Sequence, residues 1–380
     1  MMTNHIALAR FCSAVRRKEA LALCLALCIL GLGLSASARE PSIITFDAPG
    51  AQYLTYPDSI NPAGAITGYY EDANSVYHSF LRAPDGAFTT FNAPGTGAGQ
   101  GGGAVSINPE GAITGNYVDA NFVYHGYLRT PDGRFTTFDA PGAANGTNPE
   151  SINPAGAITG IYYDASYMGH GFLRDPQGWI KTFDVPGGTL GPNIATYAYS
   201  INPAGWIAGA YYDASGVAHG FLRAPDGKIT TFDAPGAGTT ADSAQGTHVD
   251  DYASFGTSGL NPAGAITGLV ITSSGLGRGF LRAPQGRVTT FDALGEANGT
   301  FPGNINPEGA ITGYYLDANF LNHGFLRDPD GRFTTIDVPG AGTGAYQGTI
   351  PAGINPSGAI TGFWVGANNV WHGFLRPAMP

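Results

Sequence analysis

The chain repeats one segment seven times, and its last copy is incomplete. The phrase [I/L]-N-P-x-G recurs at intervals of 45 to 59 residues, starting at Asn61, Asn108, Asn153, Asn202, Asn261, Asn306 and Asn355. Six copies continue through H-G-F-L-R or a close variant into a phrase such as P-D-G-x-F-T-T-F-D-A-P-G, but the seventh stops at Arg376 and adds only Pro-Ala-Met-Pro. A period of about 40–50 residues is typical of repeat architectures.

Each copy contains four short runs rich in β-branched and aromatic residues. In the fourth copy they read TYAYSIN, WIAGAYYD, VAHGFLRA and KITTFDAPG. Asn-Pro-x-Gly has the residue preferences of a type I turn, and Pro-Asp-Gly is a second tight turn. Links this short favour hairpins, so each copy is predicted to be a four-stranded antiparallel meander.

Seven such units predict an all-β, seven-bladed β-propeller over residues 39–380. A parallel β-helix is the rival, although its coils would be shorter and its two ends would need caps. Residues 42–50, SIITFDAPG, form a fourth run with no first three before it. We expect this N-terminal strand to complete the last blade and so to remove the open edges that a stack of repeats would leave at its two ends.

The repeated words resemble the bacterial extracellular HAF repeats, which are named for a His-x-Phe core. His-Gly-Phe occurs four times, His-Ser-Phe and His-Gly-Tyr once each, and the fifth copy departs from the pattern with Arg278-Gly279-Phe280. The resemblance covers essentially the whole chain after residue 38. It implies a secreted bacterial protein and does not imply a reaction.

Residues 1–38 are predicted to be a secretory signal peptide, because a basic front precedes an apolar run and Ala36-Ser37-Ala38. The alternative is a retained membrane anchor, but the run is short for a spanning helix. Cleavage predicts an extracellular or periplasmic protein without cysteine, since all three cysteines lie in this segment. It also changes the formal charge from 18 − 28 = −10 to 14 − 27 = −13, which argues against nucleic acid or anionic membranes as partners.

Two residue types recur in nearly every copy, and we interpret both as structural. The arginines are Arg82, Arg129, Arg174, Arg223, Arg282, Arg327 and Arg376, and the histidines are His78, His125, His170, His219, His323 and His372. Each Arg could pair with the Asp of the F-D phrase on the next strand. Five of the histidines are expected to bond to the Asp six residues before them, whereas His372 has Gly366 at that position. Histidines on separate blades cannot share an ion, so no metal site and no cofactor are predicted.

No catalytic motif is present, so a function is expected in the links that differ between copies. The longest comprises residues 237–259, and its candidate ligand-binding residues are Asp242, His248, Asp250, Asp251 and Tyr252. These side chains could bind a cation or sugar hydroxyls, and the alternative is a solvated insertion. Aromatic residues in or beside turns, such as Phe122 and Tyr167, could stack on sugars or fill gaps between blades.

The sequence favours a monomeric binding or scaffold module for a glycan or cell-surface protein. The alternative is a polysaccharide-cleaving hydrolase or lyase on the same face, which for hydrolysis needs two carboxyl groups in a cleft. Two carboxylates that the other copies lack would favour the enzyme, whereas one residue type repeated around the site would favour the binding module.

Overall fold

The computed structural model describes residues 42–188, 196–241, 245–249 and 259–379, so the predicted signal peptide lies outside the described residues. The described chain is all-β, and none of it forms a helix that could span a membrane. Its strands are β1 (Ile44–Phe46), β2 (Leu54–Ile60), β3 (Ile66–Glu71), β4 (Tyr77–Arg82), β5 (Phe88–Phe91), β6 (Gly102–Ile107), β7 (Ile113–Val118), β8 (Tyr124–Arg129), β9 (Phe135–Phe138), β10 (Thr147–Ile152), β11 (Ile158–Tyr163), β12 (Gly169–Arg174), β13 (Ile180–Phe183), β14 (Thr196–Ile201), β15 (Ile207–Tyr212), β16 (Ala218–Arg223), β17 (Ile229–Phe232), β18 (Gly246–His248), β19 (Ile266–Ile271), β20 (Gly277–Arg282), β21 (Val288–Phe291), β22 (Thr300–Ile305), β23 (Ile311–Leu316), β24 (Asn322–Arg327), β25 (Phe333–Ile336), β26 (Gly348–Ile354), β27 (Ile360–Val365) and β28 (Trp371–Arg376).

The strands group into repeats of the predicted kind. Repeat one is β2–β5, repeat two β6–β9, repeat three β10–β13, repeat four β14–β17, repeat five β18–β21 and repeat six β22–β25, and repeat seven contains β26–β28. Consecutive strands within each repeat pair antiparallel, which confirms the four-stranded meander. The N-terminal β1 pairs antiparallel with β28, with Thr45 opposite Phe374.

Within the described residues, parallel backbone pairs join neighbouring repeats at three places. A single parallel pair joins the third strand of one repeat to the first strand of the next at Ala218 and Gly246, and again at Asn322 and Gly348. The same pair occurs between repeat seven and repeat one, where Trp371 lies opposite Leu54. The last repeat therefore contacts the first in the way that internal neighbours contact each other.

The core lies in layers between adjacent repeats. Each layer contains the Ile that opens the second strand and the aromatic residue of the third strand. Ile66 and Phe80 of repeat one are both fully buried, and they cluster with Ala48 of the N-terminal segment and Ala359 of repeat seven. Burying an Ile or Phe side chain contributes about 1.5–3 kcal/mol, so a layer repeated this often supports a chain that lacks disulfides in its described part.

A closed circuit of hydrogen bonds links the Asn-Pro turns of all seven repeats. The Asn61 Oδ1 accepts from the backbone N–H of Ala65 at 2.9 Å, while its Nδ2 donates to the carbonyl of Asn108 at 3.4 Å. The same donation passes along the chain through the turns of Asn108, Asn153, Asn202, Asn261 and Asn306. It returns from Asn355 to the carbonyl of Asn61 at 3.2 Å, across 294 residues.

Candidate functional site

A cavity of about 930 Å³ opens beside repeats one to four. It lies where the turns between second and third strands meet the links between repeats, since Ser75 and Phe122 come from such turns and Gln100 from a link. Its aromatic lining residues are Tyr69, Tyr77, Phe122, Tyr124, Tyr163, Tyr197 and Tyr199. The carboxylates that line it are Asp58 and Glu150.

A β-bulge in the first strand directs side chains into this cavity. In repeat three, Thr159 pairs with Ser151 and Gly160 pairs with Pro149, which leaves Glu150 as an extra residue. Six of the described first strands carry the same register shift, and their bulge residues are Asp58, Val105, Glu150, Tyr199, Gly303 and Ala352. The first four of these line the cavity. Bulges re-aim side chains in this way next to functional sites.

The bulge explains the glycine of the repeated I-T-G phrase. A Cβ added at Gly160 would overlap the backbone carbonyl of Asn148, and one added at Gly68 would overlap the carbonyl of Tyr56. The bulged strand presses its backbone against the second strand, so only glycine fits opposite it. The bulge therefore accounts for both the repeated glycine on the second strand and the variable residue on the first.

His248 lies on a strand, which corrects its predicted place in a variable link. It pairs with Leu269 in β18 and β19 and is almost fully buried. Its ring lies 6.0 Å from that of Tyr212 in a T-shaped arrangement. The other predicted ligand-binding residues, Asp242, Asp250, Asp251 and Tyr252, lie outside the described residues.

The insertion of repeat five begins where the other repeats have their bulge. The described chain leaves the first strand at Val249 and resumes at Gly259, whose carbonyl accepts from the N–H of Thr267 at 2.8 Å. Ser59 holds the equivalent position in repeat one, where it pairs with Thr67. Residues 250–258 thus stand in sequence where repeat one has Asp58 alone, a placement that the spacing of the Asn-Pro turns could not reveal.

Phenol and carboxylate groups are close enough in the cavity to influence one another. Burial, and then the charge of Asp58, raise the pKa of Tyr69. Burial and the charge of Glu150 likewise raise the pKa of Tyr163. Both phenols stay protonated over the physiological range and can donate hydrogen bonds to a ligand.

The predicted His–Asp contact is present on the outer part of the sheets. The Nε2 of His125 lies 3.5 Å from an oxygen of Asp119, and the same distance is 3.3 to 3.8 Å in repeats one, three, four and six. The other ring nitrogen, Nδ1, has a partner that the sequence did not suggest. In repeat two it is Asp139, at 2.9 Å, from the end of the fourth strand.

The predicted Arg–Asp pairing is wrong. The fourth strand runs antiparallel to the third, so Arg82 at the end of β4 lies opposite Phe88 at the start of β5, far from Asn92. The Asp or Asn after the fourth strand instead lies beside the His at the start of the third strand. His372 obtains this partner from the N-terminal segment, because its Nδ1 lies 2.9 Å from Asp47.

The arginines pack against the preceding repeat. The guanidinium carbon lies 4.7 to 5.1 Å from the centre of a Phe ring in the pairs Arg82–Phe46, Arg129–Phe91, Arg174–Phe138, Arg223–Phe183, Arg282–Phe232 and Arg327–Phe291. Desolvation by burial lowers the pKa of Arg82. A cation over an aromatic face offsets part of the cost of that burial.

Repeat five replaces its missing His with a different ion pair. Arg278 donates to both carboxylate oxygens of Asp292, from Nε at 2.8 Å and from Nη2 at 2.6 Å. These hydrogen bonds raise the pKa of Arg278. Thr272 replaces the turn Asp, and its Oγ1 accepts from the N–H of Leu276 at 3.2 Å.

The His–Asp clusters of the described residues do not form a metal site. The two acidic partners of a histidine contact opposite nitrogens of the ring, so their ligand atoms do not converge on one point. No group of three or more His, Cys, Asp or Glu side chains in the described chain could hold a metal ion.

Comparison with known proteins identifies a fold. No protein-family profile and no curated protein matches the sequence. A streptogramin B lyase aligns with 14% identity over 90% of this chain and 99% of its own, at a TM-score of 0.56. A catalytically inactive virginiamycin B lyase from Staphylococcus aureus aligns with 15% identity over 89% of this chain and 100% of its own, at 0.57. These proteins are β-propellers.

The fold is that of a β-propeller. At these identities the similarity concerns the fold alone. The cavity beside repeats one to four is lined by bulge residues that differ from one repeat to the next.

Proposed function

We propose that the protein is a secreted, seven-bladed propeller of HAF-like repeats that binds a glycan in the cavity beside repeats one to four. Seven blades in a closed ring are supported by the β1–β28 pairing and by the hydrogen-bond circuit through Asn355 and Asn61. A monomer is the simplest state for such a ring, because a propeller leaves only short, protected sheet edges.

Secretion is supported by the basic and apolar N-terminal sequence and by the acidic balance of the remaining chain. The destination is the periplasm or the extracellular space. Mass spectrometry of the exported protein should find a chain that begins at Arg39. An uncleaved chain in the membrane fraction would contradict this part of the proposal.

The observation that carries the binding function is the concentration of aromatic rings in one concave site on a rigid frame. Pockets for small ligands combine apolar and aromatic walls with a few polar groups. The walls here offer phenol, Asn116, Gln100, Asp58 and Glu150 as polar partners. Sugars present both apolar faces and hydroxyl groups, so this mixture suits a saccharide.

A glycan array probed with the protein tests the proposal, and two turn aromatics provide matched variants. Phe122 lines the cavity, whereas Tyr167 holds the same turn position one repeat later and lies outside the lining. We expect Phe122→Ala to weaken binding to the array hits at least about fivefold, since a stacking ring contributes about 1 kcal/mol. Tyr167→Ala should leave binding unchanged. Absence of any glycan hit, or equal losses in both variants, would contradict glycan binding in this cavity.

Glycoside cleavage is the second candidate, and one observation favours it. Asp58 and Glu150 lie in the same cavity, while the bulge positions of repeats two, four, six and seven carry Val105, Tyr199, Gly303 and Ala352. Acid–base hydrolysis requires two such carboxyl groups in one cleft. Release of reducing ends from a glycan hit, abolished by Glu150→Gln even when the variant is saturated with that glycan, would establish the enzyme. Binding without release would support the binding module.

A further inference from the structure

The described walls of the cavity carry acidic groups without basic ones. Asp58 and Glu150 are the formal charges, and every other lining residue is aromatic, aliphatic, glycine or an uncharged polar residue. The internal segments outside the described residues, 189–195, 242–244 and 250–258, contain no Lys, Arg or His in their sequence. A concave site of one charge sign concentrates ligands of the opposite sign.

The aromatic walls suit the same class of ligand. The rings of Tyr69 and Tyr77 meet edge to face at 5.7 Å, so they form two walls at nearly a right angle. The rings of Tyr197 and Tyr199 lie parallel at 5.9 Å. Aromatic faces attract ammonium groups, and cages of such rings recognise cationic ligands.

We propose that the ligand of this cavity is a saccharide that bears ammonium groups, such as an oligomer of unacetylated glucosamine. The inference rests on the proposed glycan binding and adds the charge of the sugar. Carboxylates attract the ammonium group, tyrosine faces contact both the ammonium group and the sugar ring, and phenols bond to the hydroxyls. Anionic sugars such as uronates are excluded by the charge of Asp58 and Glu150.

Isothermal titration of the protein with four probes tests this inference. The probes are a glucosamine oligomer, its fully N-acetylated counterpart of equal length, an oligogalacturonate, and spermidine as a cation without a sugar. We expect the glucosamine oligomer to bind at least about tenfold more tightly than the acetylated oligomer. Its affinity should fall as salt is added, since part of the attraction is electrostatic. The oligogalacturonate should not bind.

The outcomes separate this inference from the proposed function. Equal or tighter binding of the acetylated oligomer or of the oligogalacturonate would overturn the preference for ammonium and leave glycan binding in place. Binding of spermidine as tight as that of the glucosamine oligomer would show a site for charge alone. If neither these sugars nor any glycan on the array binds, the proposed function fails and the inference fails with it.

A pair of isosteric variants places the effect in the cavity. Glu150→Gln should weaken binding of the glucosamine oligomer about tenfold and change that of the acetylated oligomer less than about twofold. Glu308→Gln removes the same charge from an exposed Asn-Pro-Glu-Gly turn outside the cavity, and it should change neither affinity. Equal losses in both variants would indicate attraction by net charge and overturn the assignment. Asp58→Asn repeats the test, with its melting temperature measured because Asp58 is buried.

Discussion

The outer hairpins and the first-strand bulges of the same sheets follow opposite rules. On the outer hairpins, the Arg–Phe distance is 4.7 to 5.1 Å in six repeats. At the bulges, four successive repeats place Asp58, Val105, Glu150 and Tyr199 in one cavity. Positions that pack against the same partner in successive repeats keep the same residue, whereas a side chain that faces a cavity is free to differ from one repeat to the next. The residues that break the repeat are therefore the ones to test for function.

The largest contrast should come from one bulge and the glycine opposite it. Gly160→Ala would force a methyl group onto the carbonyl of Asn148, and we expect a loss of about 3 kcal/mol in the free energy of unfolding, the upper end of the usual cost of overpacking. Glu150→Ala changes a side chain that faces the cavity and should cost less than about 1 kcal/mol. Urea unfolding measures both variants. A large loss from Glu150→Ala would mean that the bulge residue is also structural, which would contradict the distinction between the repeated glycine and the variable bulge position.

The next contrast asks whether the N-terminal strand is equivalent to an internal one. Phe46 in β1 lies beneath Arg82 at 4.9 Å, and Phe138 in β9 lies beneath Arg174 at 5.0 Å. If β1 completes a closed ring, Phe46→Ala and Phe138→Ala should each cost about 2 kcal/mol, which is below the cost for a fully buried Phe because both rings are partly buried. Thermal and urea unfolding provide the comparison. A much smaller cost for Phe46→Ala would argue against ring closure, because a loosely attached terminus would carry little stability.

Much of the fold follows from the sequence because each repeat contains recognisable turn motifs between runs of strand-forming residues. Asn-Pro-x-Gly places its predicted turn, with the N–H of Gly64 bonded to the carbonyl of Asn61 at 2.9 Å. The short links between the runs gave the right antiparallel pairing within each repeat. The pairing of His with the turn Asp also followed from spacing alone.

The site was harder to find because a bulge leaves no distinct mark in one sequence. In the sequence, Glu150 and Tyr199 look like ordinary strand residues. Only the register of the strand pairing shows that each is the extra residue of a bulge, and the bulge directs its side chain into the cavity. The signal that could have found them is the variable position in an otherwise repeated phrase, two residues before each I-N-P. The Arg–Asp error has a similar origin, because the sequence shows which strands are neighbours and not which ends of them meet.

A smaller effect should come from the left-handed turn positions. Tyr167 has φ of 60° and is 69% exposed, while repeats four and five have Gly216 and Gly275 there. Tyr167→Gly should relieve about 1–2 kcal/mol of backbone strain in the folded chain. The added conformational entropy of the unfolded chain offsets about 0.4–1 kcal/mol of this, so we expect a net stabilisation of about 0.5 kcal/mol. Phe122→Gly should raise the melting temperature by the same amount and should also lower the affinity for the ligand. If Tyr167→Gly lowers both stability and binding, the turn aromatics belong to a larger site than the cavity.

The smallest effect should distinguish charge from geometry on the outer hairpins. The backbone N–H of Val76 donates to Asp72 at 3.0 Å, and this bond, with those from Asn74 and His78, outweighs desolvation and lowers the pKa of Asp72 to about 2. A carboxyl whose pKa is lower in the folded chain stabilises the fold above the unfolded pKa of 3.8, and that contribution disappears as pH falls towards 2.

Asp72→Asn keeps an oxygen that can accept the same N–H groups. Its melting temperature should therefore be lower than that of the unchanged protein by less than about 2 °C at pH 7, as expected for an exposed charge, and the two should coincide near pH 2. Glu308→Gln, measured at the same pH values, provides the control for the loss of one charge. A difference in melting temperature that persists at pH 2 would show that Asp72 acts through geometry alone, and the outer hairpins would then owe their uniformity to packing and hydrogen-bond shape.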